Sequence, residues 1–173
     1  MAETMKPKII IVDENDKIIG YKDRGTLEKK DIYRVSALWV TNSRGEILLA
    51  RRHHAKTHHP RKWGPAVAGT VDEGETYEAN IIKEAEEELG LKDIKLKLGP
   101  YTKEDNEYRH FGQWYILNID KDINEFKIQE DEVEQIKWFS MEEMKESLHK
   151  YPEEFLPTMK KYFELFCPAQ FKN

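Results

Sequence analysis

The chain has 173 residues, of which 39% are hydrophobic, 35% charged and 11% aromatic. At roughly 150 residues per domain, this length predicts one compact domain over 1–173, because no low-complexity tract separates two apolar blocks. The aromatic content is higher than that of disordered chains, and no apolar run approaches the about 20 residues of a membrane-spanning helix. Disordered proteins and proteins with membrane-spanning helices are therefore excluded.

Charge and cysteine content narrow the class further. The 28 Lys and Arg residues against 33 Asp and Glu residues give a formal net charge of -5, which argues against stable nucleic-acid binding but allows a small phosphorylated partner. Cys167 is the only cysteine, so an intrachain disulfide and a multi-cysteine metal site are excluded. No apolar segment of signal-peptide length follows residues 1–8. We therefore expect the protein in the reducing cytoplasm.

Alternating and β-branched patterns separated by polar turns predict eight strands. The first two flank the polar turn 13–16 and predict an N-terminal β-hairpin over about 9–22. The segment 65–71 is small and apolar, which predicts a buried strand. In chain order the predicted strands are 9–12, 17–22, 33–41, 46–51, 65–71, 95–101, 112–119 and 133–139.

The clearest helix is predicted in the middle of the chain, over 76–89. Thr76 can cap its N terminus and Gly90 can end it. Its apolar residues Ala79, Ile82 and Leu89 recur at helical spacing and are expected to face a sheet.

Two C-terminal helices are predicted over about 141–166. Ser140 and Glu143 have the spacing of a capping box, which begins a helix over 141–150. Pro157 suits the first turn of a last helix that ends near residue 166. Strands interleaved with helices predict an α/β domain with a mixed sheet covered by helices.

The central helix carries a cluster of acidic residues. At about 100° per residue, Glu84, Glu87 and Glu88 project within a roughly 100° sector, which we expect opposite the apolar residues. Three neighbouring carboxylates repel one another, and Mg²⁺ or Mn²⁺ is the natural partner because both prefer carboxylate oxygens. The alternative is an ordinary solvated acidic helix face.

The residues around this helix decide between the two interpretations. The chain has Gly69, five residues, Glu75, seven residues and then the run Lys83-Glu84-Ala85-Glu86-Glu87-Glu88-Leu89-Gly90-Leu91. This pattern resembles the Nudix box, with Lys83 where the family usually has Arg and with Ala85 as a small residue at an aliphatic position. The resemblance implies the Nudix fold, a mixed β-sheet sandwiched between α-helices.

The resemblance also implies a hydrolase that cleaves a diphosphate bond, with roles for individual residues. Glu84, Glu87 and Glu88 would hold Mg²⁺, with the Gly69 carbonyl as a further ligand, and Glu84 has the alternative role of activating water. Bound metal neutralises the diphosphate and lowers the pKa of water. Glu75 would pair with Lys83 to orient the loop and the helix, through a point charge rather than the planar fork of Arg.

The region before the box is similar to the isopentenyl-diphosphate isomerase branch of the same superfamily. By that similarity Arg52 and Lys56 would bind a diphosphate, although an ordinary basic surface loop is the alternative. The isomerase cysteine would align with Ala68, and its histidine ligands near Tyr33 and Thr70. We therefore expect isomerase-like architecture with hydrolase chemistry, and keep an isomerase-like enzyme and a catalytically inactive ligand-binding domain as alternatives.

Several further residues have two interpretations each. Trp63 and Trp114 could stack on a nucleobase or belong to the core, and 108–110 could line the same cleft. The histidines at 53, 54, 58 and 59 are expected to be solvated or close to phosphate rather than zinc ligands. Glu132 and Glu134 could add a carboxylate to the metal cluster or form a solvated turn. The N-terminal hairpin could serve a homodimer.

Overall fold

A computed structural model describes residues 6–171 of the chain. The ends of the predicted domain, 1–5 and 172–173, lie outside the described residues. Residues 1–5 belong to the stretch 1–8 that was considered above as the start of a signal peptide. None of the helices within 6–171 is long and apolar enough to cross a membrane.

The described chain contains nine strands in one mixed sheet. The central strand β3 pairs antiparallel with β1, β6 and β4 in turn, and it pairs in parallel with β8 along its whole length. The strands β2, β5, β7 and β9 extend the sheet beyond these. The strands are β1 Ile9–Val12, β2 Ile18–Lys22, β3 Ile32–Thr41, β4 Ile47–Arg52, β5 Trp63–Pro65, β6 Val67–Thr70, β7 Lys97–Asp105, β8 Arg109–Asn118 and β9 Val133–Phe139.

The N-terminal hairpin is confirmed. Its two strands β1 and β2 pair antiparallel, and the turn between them is closed by the Asp13 carboxylate, which accepts from the backbone N–H groups of Asn15 (2.8 Å) and Lys17 (3.0 Å). Short polar side chains favour turns for this reason, because they bond to the backbone nearby. The hairpin joins the central sheet through β1 and β3.

Three helices cover the two faces of the sheet: α1 Tyr77–Leu89, α2 Met141–Lys150 and α3 Met159–Phe166. Successive side chains of a strand point to opposite faces, and β3 shows this directly. Leu38 and Val40 pack in one core cluster with α1, whereas Ala37 and Trp39 pack in another with α2 and α3. The predicted sheet between helices is thus confirmed.

The ends of α1 are those predicted, but its buried face is not. Thr76 Oγ1 accepts from the Ala79 N–H at 3.1 Å, and Gly90 ends the helix in the left-handed conformation at a φ of 66°. The predicted apolar stripe was wrong at Ala79 and Ile82, since both are exposed. The buried residues of α1 are Asn80, Ile81, Ala85 and Leu89. They follow the four-residue spacing of one helix face, and this face adjoins the glutamate sector rather than opposing it.

The segment 65–71 was predicted as one buried strand, and this is wrong. It is divided at Ala66 between β5 and β6. Of the β6 residues only Val67 is buried, because the others border a cavity described below.

The C-terminal prediction holds for α2 and shifts for α3. Ser140 Oγ accepts from the Glu143 N–H at 3.1 Å and caps α2. Pro157 lies in the turn before α3 rather than in its first turn, since that helix begins at Met159. An unpredicted 3-10 turn, Pro152–Glu154, follows α2.

Candidate active site

A cavity of about 570 Å³ lies where β3, β6 and β8 meet α1, α3 and the loop after β4. It brings together most of the residues that the sequence singles out. Those that line it are Gly69, Glu84, Glu87, Glu88, Arg52, Lys56 and Trp114. Glu75 and Lys83 stand behind the lining, and Trp63 lies in the core.

The loop before α1 is held to the helix by a partly buried ionic cluster. Lys83 Nζ lies 2.6 Å from Glu75 Oε1, 3.5 Å from Glu84 Oε1 and 3.6 Å from Asp72 Oδ2. Burial by itself would raise the pKa of Glu75, but hydrogen bonds from Lys83 and Asn80 outweigh it and keep the pKa below its usual value. Glu75 is therefore ionised at neutral pH. The ammonium group of Lys83 is shared between the carboxylates of Glu75, Glu84 and Asp72.

Two residues of this cluster were not found from the sequence. Asn80 is fully buried; it accepts from Ser36 Oγ and donates to Glu75 Oε2 at 2.8 Å and to the Thr70 carbonyl at 3.2 Å. Arg24, from the loop after β2, lines the cavity and donates through Nη2 to Asp72 at 2.6 Å. For Asn80 the only signal in the sequence was a polar residue within the predicted helix. For Arg24 the sequence contains no signal.

Gly69 is required by a close approach between β6 and α1. A Cβ at this position would lie 2.5 Å from Glu84 Cγ and 3.0 Å from Asn80 Oδ1. Real Cβ atoms do not come so close to other heavy atoms, so a side chain here would displace Glu84. The glycine therefore lets the Glu84 carboxylate stand directly against the strand.

The glutamates of α1 are under electrostatic strain. Burial, together with the neighbouring carboxylates of Glu84 and Glu132, raises the pKa of Glu88 to about 8. Burial also raises the pKa of Glu84; Lys83 opposes this shift and Glu87 adds to it. Both carboxylates would be stabilised in their charged form by a cation.

The donor set fits a hard divalent cation in its chemistry. Carboxylates of three glutamates and the strand residue Gly69 border one cavity, and oxygen is the ligand that such cations prefer. Within residues 6–171, no three His, Cys, Asp or Glu side chains are already gathered closely enough to hold a metal ion as they stand.

Basic side chains border the same cavity. Arg52 Nε donates to the His58 carbonyl at 3.0 Å, Lys56 forms an ion pair with Glu132, and Arg24 approaches from the opposite loop. Burial lowers the pKa of Arg52 although nearby acidic groups oppose the shift, and an Arg guanidinium stays charged in proteins. The cavity therefore presents negative and positive groups together.

Neither tryptophan offers a ring face to a nucleobase. Trp63 is 7% exposed, lies outside the cavity lining and packs edge to face on Phe139 at 5.2 Å between ring centroids. Trp114 borders the cavity but is 2% exposed, because Trp39, Tyr162 and Phe166 surround it. The stacking interpretation does not fit these positions, and their place in the core does.

The remaining residues that the sequence singled out fall into two groups, those that line the cavity and those that do not. His58 Nδ1 lies 2.7 Å from the Tyr108 hydroxyl, and none of the four loop histidines lines the cavity. His110 and Glu132 do line it, whereas Arg109 turns away to pair with Asp105 and Glu14. Glu134 instead lies near Arg51, with 3.7 Å between Oε2 and Nε.

The isomerase positions hold no isomerase chemistry. Ala68 and Thr70 both line the cavity, so the places expected for the cysteine and for one histidine carry a methyl group and a hydroxyl. Tyr33 lies beside His110, with 5.5 Å between their ring centroids.

Comparison with known proteins supports the same family as the box. A model of the NUDIX domain matches residues 31–159. An uncharacterized Nudix hydrolase of Yersinia pestis is 29% identical over 136 residues, which cover 78% of this chain and 73% of that one.

Two solved structures share the fold. A protein of Deinococcus radiodurans has a TM-score of 0.79 at 20% identity, with 95% of this chain and 99% of that one covered. The NUDIX domain of NrtR from Shewanella oneidensis, crystallised with ADP ribose, has a TM-score of 0.61 at 14% identity, with coverages of 79% and 86%. Nudix hydrolases generally use divalent metal ions. On the match over residues 31–159, together with the cavity built around its glutamates, this chain belongs to the Nudix hydrolase family.

Proposed function

We propose that the protein is a Mg²⁺-dependent pyrophosphohydrolase, with Mn²⁺ as the alternative ion, that cleaves the diphosphate bond of a nucleoside diphosphate derivative or a related phosphorylated metabolite. One observation carries the proposal: a single cavity joins three glutamates of α1 to four basic side chains, from the end of β4, the loop after it and the loop after β2. The ADP ribose bound by the NUDIX domain of NrtR is a compound of this class and supports the choice.

Each side of the cavity has its own task in this reaction. Glu84, Glu87 and Glu88, with the Gly69 carbonyl, would hold the cation, which neutralises the diphosphate and lowers the pKa of the attacking water. Arg52 and Lys56 would bind phosphate oxygens, the first as a planar fork and the second as a point charge.

The proton of the attacking water needs an acceptor in the cavity. In its alternative role Glu84 accepts this proton instead of holding the cation, because its carboxylate borders the cavity and is held between Gly69 and Lys83. Lys83 and Glu75 do not contact the substrate in this scheme. They fix the loop and the first turns of α1, so that the glutamates keep their places.

A panel of diphosphates tests the proposal. We would measure cleavage products with Mg²⁺ and with EDTA: phosphate or pyrophosphate from nucleoside triphosphates and prenyl diphosphates, and the two phosphate monoesters from dinucleotides and nucleotide sugars. We expect turnover of one class that EDTA abolishes and that Glu88→Gln abolishes too.

The matched control is Glu86→Gln, because Glu86 is exposed on the same helix and does not line the cavity. It should keep wild-type turnover. Interconversion of five-carbon diphosphates without phosphate release would indicate the isomerase-like enzyme instead. Metal-dependent ligand binding without turnover of any class would indicate a binding domain.

We also propose a homodimer and a cytoplasmic location. The edge strand β2 exposes Ile18, Ile19 and Tyr21, and exposed apolar strand edges favour pairing with another chain. Light scattering of the wild type and of Ile19→Lys should show a dimer and a monomer, respectively. Equal masses would remove β2 from the interface.

A further inference from the structure

The end of the cavity away from α1 is built differently from the ionic end. Its floor is one face of neighbouring strands, where Thr70 of β6, Val35 of β3, Gly112 of β8 and Thr102 of β7 are partners in one row. All four line the cavity. Adjacent strands lie about 4.8 Å apart, so Gly112 is roughly 10 Å from Thr70 and from the metal-binding side.

Gly112 forms a notch in this floor. A Cβ there would lie 2.7 Å from Thr102 Oγ1, 3.9 Å from His110 Cδ2 and 4.0 Å from Trp114 Nε1. Thr102 Oγ1, Trp114 Nε1 and the ring carbon Cδ2 of His110 therefore border the space above the bare Cα of a glycine. A side chain at 112 would occupy this space and push the Thr102 hydroxyl aside.

Trp114 supplies an unused donor to the notch. Among residues 6–171, its indole N–H has no hydrogen-bond acceptor. Within the same residues, Glu134 Oε2 is the only side-chain polar atom that is both fully buried and without a hydrogen bond, so the Trp114 N–H is not fully buried. The Trp114 N–H therefore keeps contact with the cavity although the whole residue is 2% exposed. Trp114 offers an N–H edge and no ring face.

His110 supplies an unused acceptor beside it. Its Nδ1 lies 3.2 Å from the Tyr108 carbonyl, which can only accept, so Nδ1 carries the proton and Nε2 is left as an acceptor. Burial lowers the pKa of His110 below its usual value, so the ring is neutral at pH 7 and this tautomer is the one present.

Charge is absent from this end because it is neutralised locally. The buried Glu104, opposite His110 on β7, lies 2.6 Å from Lys161 Nζ and accepts from the Tyr162 hydroxyl at 3.0 Å. Both partners come from α3. A charged group of a ligand would find no unpaired opposite charge on Glu104 or Lys161. An aliphatic chain would leave the Trp114 N–H and His110 Nε2 without hydrogen-bond partners.

We propose that the Gly112 notch is a subsite for an uncharged, hydroxyl-bearing group of the substrate, a sugar joined to the diphosphate. A hydroxyl accepts from the Trp114 N–H and donates to His110 Nε2, the combination that an alcohol or a vicinal diol provides. This inference rests on the proposed function, which places the diphosphate at the glutamates and basic residues. It makes Trp114 and His110 specificity-determining residues.

Binding of a non-hydrolysable ligand tests the subsite. The probe is the α,β-methylene analogue of ADP-ribose, with counterparts that each lack one hydroxyl of the terminal ribose, titrated calorimetrically with Mg²⁺ present. Trp114→Phe keeps the ring and removes the N–H. We expect it to bind the full analogue about fivefold to tenfold more weakly, and to lose the preference that the wild type shows over one deoxy counterpart.

Matched variants separate the subsite from general packing effects. Trp39→Phe removes an indole N–H from the same core cluster but outside the cavity lining, and it should bind like the wild type. Gly112→Ala fills the notch and should weaken binding of the sugar analogue but not of methylenediphosphonate, which has no sugar. Gly20→Ala, where a Cβ meets nothing within 4 Å, is its control.

The outcomes distinguish this inference from the proposed function. Equal affinity of the wild type and Trp114→Phe for the full analogue overturns the subsite, and so does an equal loss for methylenediphosphonate or no binding of the analogue at all. Selective binding of the analogue, together with no cleavage of any hydrolysable diphosphate of the panel, supports the subsite and refutes the hydrolase.

Discussion

At the scale of single residues, the site depends on charges that are shared rather than paired one to one. Lys83 stands within 3.6 Å of three carboxylates, those of Asp72, Glu75 and Glu84. A Lys can serve them together, because its ammonium is a compact charge with three donors. The residue at which the chain departs from the usual Nudix box is therefore accommodated by its neighbours.

Removal of the Lys83 charge should damage both stability and catalysis. We expect Lys83→Met to lower the free energy of unfolding by about 1–3 kcal/mol, because buried acceptors lose their donor. Diphosphate hydrolysis should fall with it, whereas Lys83→Arg should retain both properties. Urea unfolding and initial rates measure the two effects. Wild-type values for Lys83→Met would show that the hydrogen bonds from Asn80 and from the Asp72 backbone N–H suffice to fix Glu75.

His110 gives the protein a stability that depends on pH. Burial lowers its pKa in the folded chain below the ordinary value of 6.5. As the pH falls through about 6.5, the unfolded chain takes up the proton more readily, so the folded state loses stability toward acid. We expect the free energy of unfolding to fall less between pH 7.5 and pH 5.5 in His110→Gln than in the wild type. The exposed His149→Gln is the control and should follow the wild type; a parallel fall in both variants would contradict the assignment.

At the scale of elements, the contact between β6 and α1 sets the position of Glu84, which we propose as a metal ligand or as the proton acceptor. Gly69→Ala should force Glu84 aside, since its Cβ would lie 2.5 Å from Glu84 Cγ and 2.8 Å from Cδ. We expect hydrolysis to fall by about tenfold or more, with a change in melting temperature of only a few degrees, because the displaced atoms belong to a flexible side chain. Gly20→Ala should change neither quantity. Full activity in Gly69→Ala would show that Glu84 is dispensable.

Local sequence patterns predicted correctly the elements whose end residues form hydrogen bonds with the nearby backbone. Thr76 and Gly90 bound α1 by bonds to the nearby backbone, and Asp13 closes the hairpin in the same way. The buried face of α1 was predicted wrongly because Ala79 and Ile82 are as apolar as Ile81 and Ala85, and only the position of the sheet decides which pair is covered.

The site was predictable where one helix and its preceding loop contain it. The three glutamates follow from helical spacing, and Glu75 and Lys83 follow from the resemblance to the Nudix box; the structure pairs Lys83 with Glu75 and places the three glutamates on one cavity. Arg24 lies 48 positions from Asp72, and Lys56 lies 76 from Glu132. Such partners meet only through strand pairing, which no local pattern encodes.

At the scale of the whole molecule, the segment that follows the N-terminal hairpin contributes a residue to the site. The family match begins at residue 31, yet Arg24 from the loop before it reaches the cavity and donates to the buried Asp72. We expect Arg24→Met to lower the free energy of unfolding by about 1–3 kcal/mol, because the buried carboxylate loses its nearest cation, and to raise the KM for the diphosphate.

The control for Arg24 is an exposed ion pair. Arg44 pairs with Glu46 at 2.7 Å on the surface, and surface pairs contribute about 0–1 kcal/mol. Arg44→Met should therefore leave both the unfolding free energy and the KM close to wild type. If Arg24→Met and Arg44→Met have the same unfolding free energy and the same KM, the segment before residue 31 does not support the site.

The parallel pairing of β3 with β8 also determines when the cavity can form. Every pair in this ladder, from Tyr33 with His110 to Thr41 with Asn118, joins residues 77 positions apart, and such long-range closure slows folding. The helix α1 is stabilised by its own caps and can form early, whereas the cavity floor needs both strands in register. We therefore expect a refolding chain to form its glutamate helix before the cavity floor, so that ligand binding begins only in a late stage of folding.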